Sequence, residues 1–312
     1  MGTDLLDAPV LAPPLPPAFA PTLHARGVMP STADRAVARR TVALPGGRTI
    51  AYAEAGAGPD LVLIHGTLMT LEDMWLGPMP ALARDHRCIA LDRPGHGLSV
   101  RRRLRDASPW RQAALIHEAL QALGVARPIL VGHSFGGTVA LCHALRYPEA
   151  TAGVIALAPL CFPELRLEQV LFGPRAVPGL GDGLAEALSV GADPAVLPLA
   201  WRAIFLPQTM PDAFGTGFPF ALATGPARMI AEGEDAASIM PALTRAALAY
   251  PTMRVPVRIL GGTADLVVNN AIHGLTAAAL MPGARYAWVP GAGHMLHHFF
   301  HDAVGAAVQA VA

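Results

Sequence analysis

The chain has 312 residues, of which 53% are hydrophobic and 15% are charged, so a large folded core is expected and overall disorder is excluded. The formal net charge is zero, which excludes the strongly basic surface typical of proteins that bind nucleic acid or anionic membranes. The three cysteines, Cys88, Cys142 and Cys161, show neither disulfide nor metal-site spacing. This pattern favours a reducing compartment, and we expect a cytoplasmic protein.

The N-terminal residues 1–35 are rich in proline and lack a regular hydrophobic period, so we predict a separate Pro-rich arm. A secretory signal needs a positively charged start and an unbroken apolar helix. This segment instead carries Asp4 and Asp7 together with several prolines. Elsewhere no uncharged apolar stretch free of helix breakers reaches the roughly 18 residues of a membrane span, so we expect none.

Short apolar runs and helical patterns alternate along most of the remaining chain. This alternation predicts an α/β fold in which helices cover both faces of a mostly parallel, eight-stranded sheet, with the first two strands joined as a hairpin. The predicted strands are residues 41–44, 48–53, 61–64, 88–91, 129–131, 154–157, 257–260 and 286–289. The predicted helices are residues 74–84, 107–123, 137–147, 268–281 and 296–311.

The alternation of strands and helices stops between residues 160 and 247. This segment is rich in proline and apolar residues and shows no strand-like run. We therefore predict that residues 160–247 form an inserted, helical cap. The α/β core would then comprise residues 36–159 and 248–312.

A glycine-flanked serine lies between a predicted strand and a predicted helix, in the segment Gly132-His133-Ser134-Phe135-Gly136. A sharp strand-to-helix turn holds a serine hydroxyl out of the sheet, and the turn needs glycines because it leaves no room for side chains. We predict that Ser134 is a nucleophile. The alternative is a structural serine in a tight turn.

Two polar side chains follow predicted strands downstream of this serine. Asp265 comes after the strand at 257–260, and His294 comes after the strand at 286–289. Because catalytic groups cluster at the carboxyl ends of parallel strands, we expect both to lie near the serine. His294 is the predicted base, and Asp265 is predicted to orient it and to stabilise its positive form. A loop aspartate that caps a helix is the alternative for Asp265.

A serine nucleophile also requires two backbone N–H groups that bind the developing oxyanion. One is predicted to be the N–H of Phe135, which follows the nucleophile directly. The second is predicted to be the N–H of Thr67, in the loop after the strand at 61–64, with Leu68 as the alternative donor.

Four motifs of this sequence occur together in one known superfamily. They are His65-Gly66, Asp92-Arg93-Pro94-Gly95-His96-Gly97-Leu98-Ser99, Gly132-His133-Ser134-Phe135-Gly136-Gly137 and Gly291-Ala292-Gly293-His294. In this order they resemble the α/β-hydrolase fold superfamily, and in particular its cofactor-free serine esterase-like enzymes with a helical cap. The resemblance implies two oxyanion N–H groups, no cofactor and no metal. Serine rather than aspartate at position 134 disfavours haloalkane dehalogenases and epoxide hydrolases.

The predicted activity is hydrolysis of a small to medium, mostly apolar ester or related acyl compound through an acyl-enzyme intermediate. One alternative is that the same triad hydrolyses a carbon–carbon bond or carries out perhydrolysis. A second alternative is a non-catalytic ligand receptor built on a hydrolase frame. The expected partner is a small-molecule acyl substrate, and the sequence leaves a homodimer open.

Four residues are candidates for binding the substrate. Leu68 and His133 lie beside the predicted oxyanion loop and nucleophile, and Phe214 and Phe218 lie in the predicted cap. The alternative for the two phenylalanines is ordinary packing of the cap on the core. The alternative for His133 is packing around the serine turn.

Two charged clusters are assigned no catalytic role. The arginines at 101–103 and Arg105 are predicted to form a solvated loop. Glu232, Glu234 and Asp235 form an acidic group in the predicted cap, which leaves open a site for a free amine.

Several histidines near the C-terminus have spacings that would place some of them on one helical face. They are His294, His297, His298 and His301. No carboxylate or thiol converges with them in sequence and His294 has another role, so no metal site is predicted.

Overall fold

The protein is described by a computed structural model that covers residues 37–312. The predicted Pro-rich arm, residues 1–35, lies outside the described residues. Within residues 37–312 no helix has both the length and the apolar character needed to cross a membrane.

Within residues 37–312, eight strands form a single sheet. They are β1 (Arg40–Leu44), β2 (Arg48–Ala55), β3 (Asp60–Ile64), β4 (Arg87–Leu91), β5 (Ile129–His133), β6 (Gly153–Leu157), β7 (Val257–Gly262) and β8 (Arg285–Val289). Their order in the sheet is β1-β2-β4-β3-β5-β6-β7-β8. The β1–β2 and β2–β4 pairs are antiparallel and all others are parallel. The predicted mostly parallel, eight-stranded α/β sheet is confirmed.

Helices connect most of these strands. They are α1 (Leu71–Leu76), α2 (Met79–Leu82), α3 (Pro109–Ala122), α4 (Phe135–Arg146), α5 (Leu167–Leu171), α6 (Leu180–Val190), α7 (Asp193–Ile204), α8 (Asp212–Gly217), α9 (Phe220–Ala223), α10 (Pro226–Ala249), α11 (Thr276–Leu280) and α12 (His301–Gln309). Local signals explain some boundaries. The Ser108 hydroxyl accepts a hydrogen bond from the Arg111 N–H at the start of α3, as expected of an N-cap.

Three predicted helices are interrupted in the structure. The helix predicted at 74–84 is split into α1 and α2 at Gly77 and Pro78, because proline has no N–H to donate within a helix. The helix predicted at 268–281 begins as a π-helical turn, Ala271–Leu275, before α11. The C-terminal helix is likewise preceded by a 3₁₀ turn.

Alternate residues of the central strands point to opposite faces of the sheet, as the period of a strand requires. On β3, Val62 and Ile64 belong to one apolar cluster, whereas Leu61 and Leu63 belong to the other. Helices therefore cover both faces. The sequence of the edge strand β8 is mostly apolar, but most of its residues are at least partly exposed. An edge strand has a neighbouring strand on one side only. Its Trp288 is 42% exposed.

Between β6 and β7 the chain forms the helices α5 to α10 and, in this fully described stretch, no strand. This is the helical insertion expected from the sequence, although α10 continues to Ala249. We propose residues 160–247 as the cap domain and use the word cap for this insertion below. The helix α10 joins cap and core, since Trp110 of α3 donates a hydrogen bond from Nε1 to the Ala242 carbonyl (3.1 Å).

Candidate active site

Ser134 lies on the sharp turn between β5 and α4. Its backbone is left-handed, with φ 51° and ψ −119°, a conformation that costs a non-glycine residue about 1–3 kcal/mol. The flanking glycines allow this turn because neighbouring backbone leaves no space for a side chain. A Cβ on Gly132 would lie 2.3 Å from the Gly136 carbonyl oxygen, and a Cβ on Gly136 would lie 2.3 Å from that of Ile64.

The turn presents Ser134 to a cavity of about 490 Å³ between the carboxyl ends of the strands and the cap. His294 lies in the wall of the same cavity. Within residues 37–312 no hydrogen bond joins the side chains of Ser134 and His294. Catalytic hydrogen bonds of this kind commonly tighten only around a bound substrate.

Asp265 and His294 meet although they follow different strands, β7 and β8. The imidazole of His294 donates a hydrogen bond from Nδ1 to Asp265 Oδ2 over 3.0 Å. The carboxylate is held by three further donors: the backbone N–H groups of Val267 (2.8 Å) and Val268 (2.9 Å) and the Asn270 side-chain amide (2.9 Å). Asp265 is therefore fixed as an acceptor, and His294 Nε2 is left for the cavity.

The electrostatics of this pair suit proton transfer from a serine. Burial alone would raise the pKa of Asp265, but His294 and the N–H groups of Val268 and Val267 lower it to about 2. Burial lowers the pKa of His294 below its ordinary value of 6.5, despite the opposing effect of Asp265. At neutral pH the carboxylate is charged and the imidazole is a neutral base.

The loop after β3 provides the second wall of the site. Thr67 lines the cavity beside Ser134. The neighbouring N–H, that of Leu68, donates to the Glu232 carboxylate over 2.6 Å. Because that donor is already used, Thr67 is the better candidate for the oxyanion, together with Phe135 at the start of α4.

The structure brings together some of the predicted pocket residues and not others. Leu68 and His133 line the cavity. Phe214 and Phe218 do not, because they stack on each other with ring centroids 4.6 Å apart in a buried aromatic cluster of the cap. For these two residues the packing alternative describes the geometry, and the prediction of substrate contact is corrected.

Most of the cavity wall is apolar, and much of it was not anticipated from the sequence. The segment that leads into α5 and the loop after Asp265 carry no pattern that separates pocket residues from packing residues. The apolar lining comprises Leu68, Met69, Leu165, Leu167, Leu171, Phe172, Ala200, Trp201, Ile204, Leu266, Val267 and Met295.

The charged part of the wall is one arginine held by acidic neighbours. Arg166 donates to Glu164 (2.5 Å), to Glu168 (3.0 Å) and to the Val267 carbonyl (3.1 Å). Its side chain is 10% exposed, whereas those of the two glutamates are 34% and 31% exposed. The guanidinium of Arg166 therefore already has two anionic partners at this end of the cavity.

A buried hydrogen-bond network contacts the backbone of His294. His133 donates from Nε2 to the carbonyl of His294 (3.1 Å). Next to it, Asp73 Oδ1 accepts from Nε2 of His297 (2.9 Å) and of His298 (3.0 Å). Burial lowers the pKa of His297 to about 3, so this imidazole is a neutral donor. Asp73, His297 and His298 converge as metal ligands would, but imidazole N–H donors around a carboxylate account for the arrangement.

The acidic residues of α10 lie in a second buried cluster, where arginines engage Glu234 and Asp235 and where Glu232 lies 3.3 Å from His96 Nδ1. Arg101 is 3% exposed in its side chain and pairs with Asp235 (2.5 Å) and Glu234 (3.1 Å). The prediction of a solvated loop is therefore wrong for Arg101. Since arginines already occupy the carboxylates of Glu234 and Asp235, the geometry does not favour a free-amine site at these two residues.

Sheet order, serine turn and helical insertion define a protein of the α/β-hydrolase fold. The sequence pattern of the alpha/beta hydrolase family matches residues 61–307. The chain belongs to this family and is a hydrolase.

Individual relatives share only a minority of their residues with this chain. An uncharacterized protein of Mycobacterium tuberculosis is 29% identical over 262 residues, which cover 80% of this chain and 73% of that protein. The 2-hydroxymuconate semialdehyde hydrolase of a Pseudomonas species is 37% identical over 139 residues, or 43% of this chain and 46% of that enzyme. An esterase of Thermogutta terrifontis superposes with a TM-score of 0.69 at 19% identity, over 88% of this chain and 99% of that chain. An alpha/beta hydrolase fold protein of Burkholderia ambifaria gives 0.70 at 24% identity, over 88% and 100%.

Proposed function

We propose that this protein is a serine hydrolase that cleaves a small to medium, mostly apolar ester or related acyl compound through an acyl-enzyme. The observation that carries the proposal is the shared cavity. It places a strained serine beside a buried, neutral His294, whose other ring nitrogen is hydrogen-bonded to Asp265. The apolar wall matches an apolar acyl or alcohol group.

The proposed mechanism uses the same groups in both half-reactions. His294 takes the proton of Ser134 as its Oγ attacks the acyl carbon, and the N–H groups of Thr67 and Phe135 stabilise the oxyanion. His294 then protonates the leaving alcohol, and the acyl-enzyme forms. Water attacks the acyl-enzyme by the same proton transfers, which release the acid and restore Ser134. Asp265 stays ionised and holds the imidazole tautomer.

The three cysteines do not compete with the serine in this mechanism. Cys88, Cys142 and Cys161 are free and buried. Burial raises the pKa of Cys88 and of Cys161 to about 12, so they carry no thiolate at neutral pH. Buried, reduced thiols also fit the cytoplasmic location that we propose.

The direct test of this proposal is labelling with an alkyl fluorophosphonate, in which an activated serine oxygen displaces fluoride at phosphorus. We expect one adduct per chain, and peptide mass spectrometry should place it on Ser134. Heat-unfolded protein is the control and should not be labelled. An unlabelled folded protein, or an adduct at another residue, would contradict the proposal.

The activity should persist below the pH at which an ordinary histidine becomes protonated. Because burial lowers the pKa of His294 below 6.5, the acid limb of kcat/KM should have its midpoint below pH 6.5. A neutral p-nitrophenyl ester is the suitable substrate, since it does not itself titrate in this range. Residual activity after return to pH 7 controls for unfolding, and a midpoint at pH 7 or above would overturn this assignment.

Carbon–carbon bond hydrolysis is the second candidate, and the similarity to 2-hydroxymuconate semialdehyde hydrolase favours it over perhydrolysis. Muconate-type compounds are carboxylates, and the one guanidinium in the cavity wall, that of Arg166, is held by Glu164 and Glu168. The charge of the wall therefore favours a neutral ester. Parallel turnover measurements with p-nitrophenyl butyrate and with 2-hydroxymuconate semialdehyde decide between the two activities.

A further inference from the structure

Leu68, next to the candidate oxyanion donor Thr67, is held in place by the cap at both of its backbone polar groups. Its φ is +59°, which is strained for a leucine and persists only where the surroundings enforce it. Its N–H donates to Glu232 Oε1 of α10 over 2.6 Å, and its carbonyl accepts from Trp201 Nε1 of α7 over 3.2 Å. Two cap helices thus hold one residue of the core.

The other side of Thr67 is tied to the same helix through an arginine. The Gly66 carbonyl accepts from Arg93 Nη2 (3.2 Å), and Arg93 Nη1 donates to Asp235 (2.6 Å). Glu232 and Asp235 are three residues apart and therefore share a face of α10. Gly66 and Leu68, the two neighbours of Thr67, are therefore both held by side chains from one face of α10, Gly66 through Arg93 and Leu68 directly.

The same loop lies directly against the nucleophile. A Cβ on Gly66 would be 3.3 Å from the Ser134 Cβ, so the loop has little freedom on that side. On the far side, Glu232 holds the Thr67–Leu68 peptide through the Leu68 N–H, and Trp201 holds the Leu68–Met69 peptide through the Leu68 carbonyl. The Thr67 N–H belongs to the Gly66–Thr67 peptide, whose carbonyl accepts from Arg93. Together these contacts fix the backbone on both sides of Thr67, and the direction of its N–H toward the oxyanion depends on them.

We propose that Glu232 and Trp201 are positioning residues of the oxyanion hole, so that the cap assembles part of the catalytic machinery as well as enclosing the substrate. This inference rests on the serine hydrolase function proposed above. A displaced oxyanion donor weakens the transition state more than the bound substrate. Loss of Glu232 should therefore lower kcat while leaving KM nearly unchanged.

The test compares Glu232→Ala with Glu234→Ala, a matched control on the same helix whose carboxylate pairs with Arg101 and Arg103 and does not contact Leu68. With p-nitrophenyl butyrate, Glu232→Ala should lower kcat by about 10- to 100-fold, with KM within about threefold. Affinity for a trifluoromethyl ketone, which forms a tetrahedral oxyanion on the serine, should fall in parallel. Glu234→Ala should leave both close to the wild type.

Two further variants separate positioning from general damage. Glu232→Gln keeps an oxygen that accepts from Leu68 and should retain kcat within about fivefold. Trp201→Phe removes the indole donor and should lower kcat by several-fold. Its control, Trp110→Phe, removes an indole N–H bonded to Ala242 far from the cavity and should not. A loss in Glu232→Gln as deep as in Glu232→Ala would overturn the proposal.

Hydrogen exchange tests the clamp without any turnover. In folded Glu232→Ala, backbone amides of residues 66–69 should exchange faster than in the wild type, and in Glu234→Ala they should not. Unchanged exchange together with unchanged kcat would overturn the positioning role alone. A wild type that neither reacts with fluorophosphonate nor hydrolyses esters would overturn the proposed function, while the exchange result would still decide whether Glu232 holds the loop.

Discussion

Replacement of Ser134 by alanine should lower kcat for p-nitrophenyl ester hydrolysis by about 10⁵- to 10⁶-fold and abolish labelling by a fluorophosphonate. The substitution removes only the hydroxyl group. Alanine can adopt the positive-φ backbone of this turn at a cost in free energy similar to that of serine. Because the variant still has its cavity, oxyanion N–H groups and His294, it should bind the ester with a dissociation constant close to the wild-type value. Single-turnover kinetics and equilibrium binding of an uncleavable ether analogue, which forms no adduct with the serine, measure the two effects separately.

A matched control for this experiment is Ser189→Ala. Ser189 lies in the cap helix α6, where its hydroxyl donates to the Glu186 carbonyl, and it does not line the cavity. This variant should keep wild-type kcat. Turnover by Ser134→Ala within tenfold of the wild type would remove Ser134 as nucleophile and leave the fold assignment untouched.

The second large effect is expected on stability, from Asp235→Ala. Asp235 is 2% exposed and accepts hydrogen bonds from Arg93 (2.6 Å), Arg101 (2.5 Å) and Gln112 (2.9 Å). Removal of the carboxylate leaves the buried guanidinium of Arg93 without its counter-charge and leaves that of Arg101 with Glu234 alone. The free energy of unfolding should fall by about 3–5 kcal/mol, measured by urea denaturation with circular dichroism.

Asp60→Ala is the control for that loss, since Asp60 forms a partly exposed ion pair with Arg87 over 3.3 Å and its removal should leave the urea midpoint close to the wild type. The ion pairs of Asp235 with Arg93 and Arg101 also predict a pH effect on stability. The neighbouring arginines hold the pKa of Asp235 far below its ordinary value although burial opposes this. Its contribution is therefore fully present above about pH 4 and is lost as the pH falls toward the folded-state pKa. Asp235→Ala should be correspondingly less sensitive to acid, and equal acid sensitivity of both proteins would contradict the argument.

The sheet and the candidate catalytic residues could be predicted from sequence because parallel strands leave strong local signals. An apolar run such as 129–131 followed by Gly132 and Gly136 encodes strand, turn and helix within a few residues. Asp265 and His294 were predicted by the same rule, since each follows directly on an apolar run. Their mutual hydrogen bond was not encoded locally, but the shared edge of a parallel sheet brings such residues together.

The cap could not be predicted to the same depth, because its residues are positioned by tertiary packing. Phe214 and Phe218 have the composition of a pocket, yet they pack on each other. Arg101 has the sequence context of a solvated loop, yet it is buried against α10. Arg166 lines the cavity without any motif. For Arg101 the deciding partners lie more than 130 residues away in the chain. For the two phenylalanines and for Arg166, nothing in the local sequence distinguishes packing from lining the cavity.

The face of α10 that carries Glu232 and Asp235 has a consequence for how such enzymes diversify. The cap can be exchanged between related enzymes to change the range of substrates. Here α10 with Glu232 and α7 with Trp201 both contact the loop after β3, so an exchanged cap would function fully only together with its own β3 loop. A chimaera with α10 from another enzyme would hold the loop at Thr67 in a different geometry. A lower turnover number in such a chimaera would then reflect a mismatch between α10 and this loop rather than a poorer fit of the substrate in the pocket.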